Sequence, residues 1–374
     1  MIARLGDVAT YVNGYAFKPS DWSDIGLPII RIQDLTGNSY QANRYNGEYD
    51  KRYEIHDGDV LISWSASLGV YIWTGEKAVL NQHIFKVVFN KLEVDKSFFV
   101  HQVRNILENS VSQAHGATMK HLTKPVFDAL PFNLPSVAEQ QRISSVLDKL
   151  TSMISLRKQQ LARLDEVVKA RFVEMFDTLT TTNYPIKTLD ELCVFIKDGT
   201  HQTPKYTEDT VRGIKFLSSK DVTSGQIDWS KIKYIPQELH EELYSRIAPQ
   251  RGDILLAKNG TTGIPAIVDT DEVFDIYVSL ALLRFKPGNH VTYIWAALGT
   301  LETKKQFDSS LKGIGVPNLH LSEIKKTKII IPPVELQNEF SVFVEKINRQ
   351  KLTIQQSLDQ LEVLRKSLMQ EYFG

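Results

Sequence analysis

The sequence contains 374 residues, of which 42% are hydrophobic, and its 44 basic and 44 acidic residues give a formal charge of zero. Two cores of ordinary size fit this length, while the neutral balance excludes a protein that holds a polyanion by a global electrostatic field. The single Cys193 excludes a disulfide framework or a cysteine-rich zinc site, and the lack of a signal peptide or of a run of roughly 20 apolar residues predicts a cytoplasmic protein without membrane contact.

Residues 1–133 are predicted to form a mixed α+β domain, because short β-branched segments alternate with turn residues. The clearest segment is 57–63, where a Gly-Asp turn leads into an apolar strand. The other elements expected in chain order are strands at 70–73 and 84–89, a helix at 97–107 and a loop around Gly116.

Residues 134–178 are predicted to form a long helix. From Glu139 to Phe176 there is no proline or glycine, and Ser136 with Glu139 has the pattern of a capping box. A helix of this length spans roughly 57 Å. Apolar residues recur along it in steps of three and four. We call them the first seam: Ile143, Leu147, Leu150, Ile154, Leu161, Leu164 and Val168, with Val146 at the same spacing.

A second copy of this arrangement follows, with a domain at 179–331. Segments in the two copies match in order: 4–8 with 188–192, 28–35 with 215–222, and 57–63 with 251–257. The other elements expected in this copy are strands at 266–268 and 280–285, a helix at 292–301 and a loop around Gly313. The sequence is therefore an α+β unit used twice.

A second long helix is predicted at 332–374, and its opening motif lies 197 positions after that of the first. Its apolar residues form the second seam: Phe340, Val344, Ile347, Ile354, Leu358, Leu361 and Leu368, with Leu364 at the same spacing. Narrow seams of this kind are typical of coiled coils. We favour an antiparallel coiled coil within the chain, which buries both seams. Pairing with other chains, or packing of each helix on its own domain, is the alternative.

The order of globule, helix, globule and helix resembles the specificity subunit of Type I restriction-modification enzymes. Residues 12–18, Val-Asn-Gly-Tyr-Ala-Phe-Lys, look like the opening segment of that family. Residues 198–206 look like its alternative opening segment, and 251–263 are similar to its strand-and-loop signature. The resemblance covers essentially the whole chain.

The resemblance implies a non-catalytic subunit with two target-recognition domains, each recognising one half of a bipartite site in double-stranded DNA. The two helices would set the spacer between the half-sites and would dock two methyltransferase subunits, to which a motor-nuclease subunit can be added. This chain would then carry no cofactor or metal, since the methyl donor, ATP and magnesium would be bound by the partner subunits. The loops at 63–69 and 257–263 differ in sequence, so the two half-sites are expected to differ.

Candidate DNA-binding residues combine amide, hydroxyl and imidazole groups for base edges with basic groups for phosphates. In the first domain they are Lys18, Arg31, Gln33, Ser63, Trp64, Ser65, Asn81, Gln82, His83, Thr118, Lys120 and His121. In the second they are Thr200, His201, Thr203, Lys205, Lys215, Lys220, Lys258, Asn259, Thr261 and Thr262. Each also has a structural interpretation, as a turn residue or as the exposed face of a strand.

The sequence contains no P-loop, no glycine-rich nucleotide loop and no Asp/Asn-Pro-Pro-aromatic motif of a base methyltransferase. Asp308, Glu323 and Lys325 have the residue types of a metal-dependent nuclease core. Two alternative functions therefore stay open from the residues alone. One is a self-sufficient nuclease that uses this set, and the other is a coiled-coil scaffold whose globules bind protein.

Overall fold

A computed structural model describes residues 1–37, 43–113, 123–176, 178–222, 225–311 and 317–374. The chain divides into two compact units. The first unit comprises Met1–Lys158 with Gln356–Gly374, and the second comprises Gln159–Gln355. In the described parts of the chain, no helix has the length and apolar character needed to cross a membrane.

The strands and helices of the first half of the chain begin with a short strand and end with a long helix. The strands are β1 (Ile2–Arg4), β2 (Thr10–Asn13), β3 (Leu27–Ile30), β4 (Arg44–Tyr45), β5 (Glu54–Ile55), β6 (Val60–Ser63), β7 (Gly69–Ile72), β8 (Ala78–Leu80), β9 (Ile84–Val88) and β10 (Pro131–Asn133). The helices are α1 (Leu5–Val8), α2 (Ile32–Leu35), α3 (Lys96–Gln113), α4 (Lys124–Asp128) and α5 (Val137–Phe176).

The second half repeats this order. Its strands are β11 (Ile186–Thr188), β12 (Cys193–Asp198), β13 (Ile214–Leu217), β14 (Lys233–Ile235), β15 (Ile254–Ala257), β16 (Pro265–Ile267), β17 (Phe274–Ile276), β18 (Leu280–Phe285) and β19 (Lys328–Ile330). Its helices are α6 (Leu189–Leu192), α7 (Gln237–Arg246), α8 (Val291–Leu298), α9 (Leu301–Ser309), α10 (Leu321–Lys326) and α11 (Val334–Phe373).

The sheets of the two units have corresponding topology. The central antiparallel sheet has the order β2-β9-β6-β7 in the first unit and β12-β18-β15-β16 in the second. A second sheet contains one parallel pair in each unit, β3 with β8 and β13 with β17. The outer pairs are β1 with β10 and β11 with β19. The predicted internal repeat of an α+β domain is therefore confirmed.

The repeated Gly-Asp motif forms the same turn before β6 and before β15. Gly58 and Gly252 have φ angles of 81° and 91°, a left-handed conformation that glycine adopts without a Cβ clash. The carboxylates of Asp59 and Asp253 each accept the main-chain N–H three residues earlier at 2.8 Å. The motif thus fixes the entry into the central strand and has a structural role.

The predicted helix at 292–301 is two helices in the structure. The helix α8 ends at Leu298, followed by Gly299, and α9 begins after Thr300, whose hydroxyl accepts the N–H of Thr303 at 3.2 Å. Sequence periodicity alone did not show this break, because the apolar pattern continues across it. The predicted loops around Gly116 and Gly313 lie outside the described residues.

The long helix α5 begins directly after Ser136, whose hydroxyl accepts the N–H of Glu139 at 3.4 Å. This is one half of the predicted capping box. The Glu139 carboxylate bonds Arg142 at 2.7 and 2.9 Å instead of the helix start. The helix bounds agree with the stretch that lacks proline and glycine.

The helices α5 and α11 run antiparallel within each unit. In the first unit, Leu147 of α5 shares a core with Met369 of α11, and Lys158 pairs with Glu362 at 3.1 Å. The second unit brings late residues of α5 against early residues of α11, since Phe172 shares a core with Phe340. Arg171 there pairs with Glu339 at 3.3 Å, and Lys351 with Asp165 at 2.6 Å. The antiparallel pairing predicted from the two seams is therefore confirmed.

The seam residues differ in how deeply they are enclosed. Those that are buried are Ile143, Leu147, Leu150, Ile154, Val168, Phe340, Val344, Ile347 and Leu358, and those that are half-buried are Leu161, Leu164, Ile354, Leu361 and Leu368. Val146 and Leu364, which share the spacing, are 37% and 48% exposed. Near Leu364, the face of α11 that is buried or half-buried includes Leu358, Glu362, Arg365 and Met369. Leu364 lies next to this face.

A buried glutamine fixes the start of each long helix. The Gln140 side chain accepts the N–H of Asp95 at 2.8 Å and donates to the carbonyl of Pro135 at 2.9 Å. Gln337, which lies 197 positions later, accepts the N–H of His290 at 2.9 Å and donates to the carbonyl of Pro332 at 2.9 Å. Both glutamines are 1% exposed. Each one joins its long helix to the start of an earlier helix of the same unit, α3 or α8.

We expect Gln140→Ala to lower the free energy of unfolding by about 1–3 kcal/mol, because it leaves a partly buried N–H and a partly buried carbonyl without their partner. The neighbouring Gln141 is exposed, and Gln141→Ala is the matched control, with a change of less than about 0.5 kcal/mol. Urea denaturation of both variants measures the difference. Equal effects of the two substitutions would contradict the structural role of Gln140.

Candidate nucleic-acid interface

The candidate loops of the second unit meet at one end of its central sheet. In the strand register, Asp198 at the end of β12 lies opposite Ala281, and Ala257 at the end of β15 lies opposite Leu280. The segment that follows β12 and the loop that follows β15 therefore leave the sheet side by side. These two segments carry seven of the ten candidates in this unit: Thr200, His201, Thr203, Lys258, Asn259, Thr261 and Thr262, and Lys205 continues the first of them.

Lys258 lies inside this edge. Its side chain is 7% exposed, and its Nζ lies 3.0 Å from Oδ2 of Asp198, which is 15% exposed. An enclosed ammonium group with a carboxylate partner is not presented to a DNA phosphate. The assignment of Lys258 to DNA binding stays a prediction, and its enclosed ion pair favours a structural role.

Exposed side chains lie around this buried pair. The His201 imidazole is 67% exposed, and its Nε2 lies 3.2 Å from the same Asp198 oxygen. Thr203 is exposed, with its hydroxyl 3.5 Å from that of Tyr277. Lys205 is exposed, whereas Thr200 is 9% exposed and its hydroxyl accepts the N–H of Gln202 at 3.3 Å.

The loop after β15 is a tight turn into β16. Gly260 and Gly263 have φ angles of 75° and 76°, and the Gly263 N–H donates to the carbonyl of Ala257 at 2.7 Å. Asn259 is half-buried and forms an antiparallel bridge with Asn318. The candidates that this turn leaves accessible are Thr261, which is exposed, and Thr262, which is half-buried.

The two remaining lysines lie on or beside the second sheet. Lys215 on β13 is half-buried, forms an ion pair with Glu272 and lies 5.2 Å from the centre of the Trp229 ring. Lys220 is exposed in a short 3₁₀ turn. The preceding residue in that turn, Ser219, donates its N–H to the hydroxyl of Ser279 at 2.9 Å, just before β18. Lys220 is therefore next to the loop edge, while Lys215 is engaged within the sheet.

The same edge of the first unit carries different side chains. Ser63 at the end of β6 lies opposite Ile84, and Asn13 at the end of β2 lies opposite Phe85. This register brings two groups of candidates together. The first group is Ser63, Trp64 and Ser65, and the second is Asn81, Gln82 and His83. Ser63 and Ser65 are buried, and the Ser63 hydroxyl donates to the carbonyl of Ser67. The other four are half-buried.

Trp64 has the position in the first unit that Lys258 has in the second. Its ring stacks on Phe85 with centroids 5.7 Å apart, and it lies 5.5 Å from the His83 ring. Aromatic packing thus takes the place of the ion pair at this point of the first unit.

Other candidates of the first unit are not on these two loops. Lys18 is exposed, Gln33 is half-buried in α2, and the Arg31 guanidinium lies 4.3 Å from the centre of the Trp22 ring. Thr118, Lys120 and His121 lie outside the described residues.

Sequence reasoning missed two glycines that shape the backbone of both edges. Gly14 follows β2 and Gly199 follows β12. A Cβ at Gly14 would lie 2.2 Å from the carbonyl oxygen of Asn81, and one at Gly199 would lie 1.9 Å from that of Ile276. The residues after them form parallel bridges, Tyr15 with Asn81 and Thr200 with Tyr277. A glycine at the same position of both copies was the available signal.

A buried histidine–aspartate hydrogen bond joins α7 to β17 in the second unit. His240 Nδ1 of α7 lies 2.7 Å from Oδ2 of Asp275 on β17, and Asp275 is 2% exposed. Burial raises the pKa of the Asp275 carboxyl, and the hydrogen bond from His240 opposes this shift. Nearby, burial raises the pKa of the Tyr206 phenol, so this group stays protonated at neutral pH.

The nuclease hypothesis is not supported. Asp308 is exposed in α9, the Glu323 carboxylate lies 3.2 Å from Lys326 Nζ, and Lys325 Nζ lies 3.3 Å from the carboxylate of Asp190. Within the described ranges, no group of three or more His, Cys, Asp or Glu side chains is arranged to hold a metal ion.

Comparison with known protein families gives two matches in this chain to one family, described as the Type I restriction modification DNA specificity domain. The matched residues are 1–166 and 183–363. The chain is 25% identical over 377 residues to the Type I restriction enzyme EcoBI specificity subunit of Escherichia coli, covering 92% of this chain and 78% of that protein. It is 22% identical over 392 residues to the MjaVIII specificity subunit of Methanocaldococcus jannaschii, covering 98% and 90%.

The fold is also similar to those of solved structures. A crystal structure of a Type I restriction-modification S subunit from M. genitalium aligns with a TM-score of 0.53 and 14% identity, covering 100% of this chain and 96% of that chain. A chain from a study of complex assembly in the type I R-M system aligns with a TM-score of 0.52 and 15% identity, covering 100% and 97%. These two likenesses concern the fold alone.

Proposed function

The chain belongs to the Type I restriction modification DNA specificity family and is a non-catalytic subunit that recognises a DNA target, and from this premise we propose that each half of the chain recognises one half of a bipartite site. The observation that carries this proposal is the repeated sheet edge with different side chains. Trp64 and His83 line it in the first unit, and His201 and Lys258 line it in the second. Two sheet edges that share a backbone arrangement but carry different side chains fit a double-stranded target whose two halves differ. We place the recognition domains at 1–133 and 179–331.

Within each edge we assign DNA contact to the side chains that solvent reaches. In the second unit these are His201, Thr203, Lys205, Lys220, Thr261 and Thr262, and in the first they are Asn81, Gln82 and His83. We add Lys18, which is exposed outside the two loops of the first unit. Amide, hydroxyl and imidazole groups suit hydrogen bonding to base edges, and lysines suit phosphates.

The helical segments 134–178 and 332–374 are proposed to set the gap between half-sites and to dock two methyltransferase subunits. The support is the repetition of Gln140 as Gln337, since each buried glutamine makes the same pair of hydrogen bonds at its helix start. Because the two long helices begin with the same hydrogen-bonded structure, they suit two copies of one partner subunit. The methyl donor, ATP and magnesium would then be bound by the methyltransferase and motor-nuclease subunits. Cys193 is buried as a free thiol, which fits action in the reducing cytoplasm.

Methylome sequencing of a host that carries this chain with its methyltransferase subunits tests the proposal. The expected result is one modified motif with two unlike halves separated by a fixed gap. The assembled complex should bind this motif in preference to a duplex with scrambled half-sites at the same salt concentration. Equal binding of both duplexes would refute sequence recognition, and a modified motif without two separated halves would refute the bipartite assignment.

A change in helix length should change the gap. Inserting four residues between Lys158 and Gln159, and four between Gln355 and Gln356, lengthens both helices at positions that correspond in the repeat. Each insertion adds roughly 6 Å, so we expect the preferred gap to grow by about two base pairs while both half-sites stay the same. Methylome sequencing reads out the new gap. The same insertion between Thr181 and Thr182, beyond the end of α5, is the control and should leave the gap unchanged. An unchanged gap in the helix variant would show that the helices do not set it.

A further inference from the structure

We infer that Lys258 is a positioning residue, whose buried ion pair with Asp198 joins the loop after β15 to the segment after β12 so that both face DNA as one surface. This inference rests on the proposed function of the second unit. It assigns to a basic residue in a recognition loop a role other than phosphate contact.

The first support is the burial of both charges. Lys258 Nζ and Asp198 Oδ2 are 3.0 Å apart, and the two side chains are 7% and 15% exposed. A charge enclosed in this way is unfavourable unless its partner is present. The two residues are 60 positions apart in sequence, so the pair holds together two segments that the chain does not connect locally.

The main chain of Lys258 is fixed as well. Its N–H donates to the carbonyl of Ser279 at 2.9 Å, and its carbonyl accepts the N–H of Leu319 at 2.8 Å. The start of β18 and the segment before α10 are therefore connected to the same residue. The side chain adds a link from Lys258 to Asp198 at the end of β12, where the recognition segment begins.

Asp198 also contacts a residue at the exposed surface. The oxygen that meets Lys258 also lies 3.2 Å from Nε2 of His201. Arg246 donates to the carbonyls of Asp198 and Gly199 at 3.3 and 3.2 Å. A line of contacts thus runs from Lys258 through Asp198 to His201, which is 67% exposed. The orientation of the His201 ring depends on where the ion pair holds the carboxylate.

The corresponding positions of the first unit carry no charged side chains. Trp64 and Asn13 stand where Lys258 and Asp198 stand in the second unit, and the main-chain bond is repeated, since Trp64 N–H donates to the carbonyl of His83 at 3.4 Å. The Trp64 ring then packs on Phe85. The main-chain hydrogen bond is therefore common to both units. The side chain at this position forms an ion pair in the second unit and packs on an aromatic ring in the first.

A measurement without DNA tests the link directly. Hydrogen exchange of the full-length chain is compared for the native protein, Lys258→Met and Asp198→Asn, in peptides that cover residues 198–203. We expect faster exchange of these amides in both variants, because each removes one partner of the pair. Unchanged exchange in both variants would overturn the inference.

Binding to the motif found by methylome sequencing then tests the consequence. In complexes assembled with methyltransferase subunits, each single variant should bind about tenfold more weakly, the equivalent of one charged hydrogen bond. The double variant should lose little more than either single one. Discrimination against a changed second half-site should fall, while discrimination at the first half-site stays the same. The salt dependence of affinity should be unaltered, because no phosphate contact is lost.

Lys205→Met is the matched control, since Lys205 is an exposed lysine on the same segment. As a phosphate contact, its loss should reduce the slope of log affinity against log salt by about 0.9 without relaxing specificity. If Lys258→Met instead gave this reduced slope while Asp198→Asn had no effect, Lys258 would be a phosphate ligand. If the native complex failed to prefer its motif, the proposed function would fail, whereas the hydrogen-exchange result would still decide whether the pair holds the segment.

Discussion

Gly199→Ala is expected to unfold the second unit under conditions in which the native unit is folded. The added Cβ would lie 1.9 Å from the carbonyl oxygen of Ile276, a main-chain atom that cannot move without disturbing β17. Overpacking typically costs about 1–3 kcal/mol and occasionally more, and we expect a clash with a main-chain oxygen to lie at the upper end of this range. Denaturation in guanidinium chloride, followed by a probe of the second unit, measures the loss.

The control for this substitution is Gly299→Ala in the same unit. A Cβ at Gly299 would lie 3.5 Å from its closest neighbour, the carbonyl oxygen of Ala296, which is an ordinary contact. The free energy of unfolding should stay within about 1 kcal/mol of the native value. Gly14→Ala should weaken the first unit, since its Cβ would lie 2.2 Å from the carbonyl oxygens of Leu80 and Asn81. Similar stability of Gly199→Ala and Gly299→Ala would show that the close approach after β12 is not required.

Arg284→Met is expected to lower the free energy of unfolding of the second unit by about 3–5 kcal/mol. Arg284 on β18 donates to both carboxylate oxygens of Asp253 at 2.7 and 2.9 Å, and to the carbonyl of Ala248 at 2.7 Å. The Asp253 side chain is 4% exposed, so methionine leaves a buried carboxylate without its cation. The hydrogen bond to Asp253 also raises the pKa of Arg284.

Arg251→Met is the control for this ion pair. Arg251 pairs with Asp271 at 2.8 Å, but the two side chains are 56% and 79% exposed. Solvent screens such a pair, and its removal should change stability by no more than about 1 kcal/mol. Chemical denaturation of both variants distinguishes the buried pair from the exposed one. A loss at Arg284 no greater than that at Arg251 would mean that Asp253 finds other compensation.

The parts of the fold that the sequence predicted well depend on local rules. The absence of proline and glycine from 139 to 176 and from 335 to 373, with apolar residues in steps of three and four, determines a long helix with one buried face. The Gly-Asp turns depend on a left-handed glycine, and the strands that follow them are short apolar runs that are buried along their whole length. These patterns act within a few residues, so they can be recognised without knowledge of the tertiary structure.

The candidate site depends on relations that no local pattern carries. Sequence reasoning grouped the correct loops, because the ends of neighbouring strands come together in a sheet. It did not separate Lys258, which is buried, from Lys205, which is exposed, because that difference depends on Asp198. Trp64 and Lys258 occupy corresponding positions in the two units, but one side chain is aromatic and the other is charged. The spacing of apolar residues does not predict which side chain stands at this position.

The division of the chain into units has a consequence for protein synthesis. The first unit includes Gln356–Gly374, and Met369 lies in its core beside Ile143 and Leu147. A ribosome makes these residues after every residue of the second unit. The unit that begins at the N-terminus therefore completes its core only after the second unit has been synthesised, because Ile143 and Leu147 pack in one core with Met369.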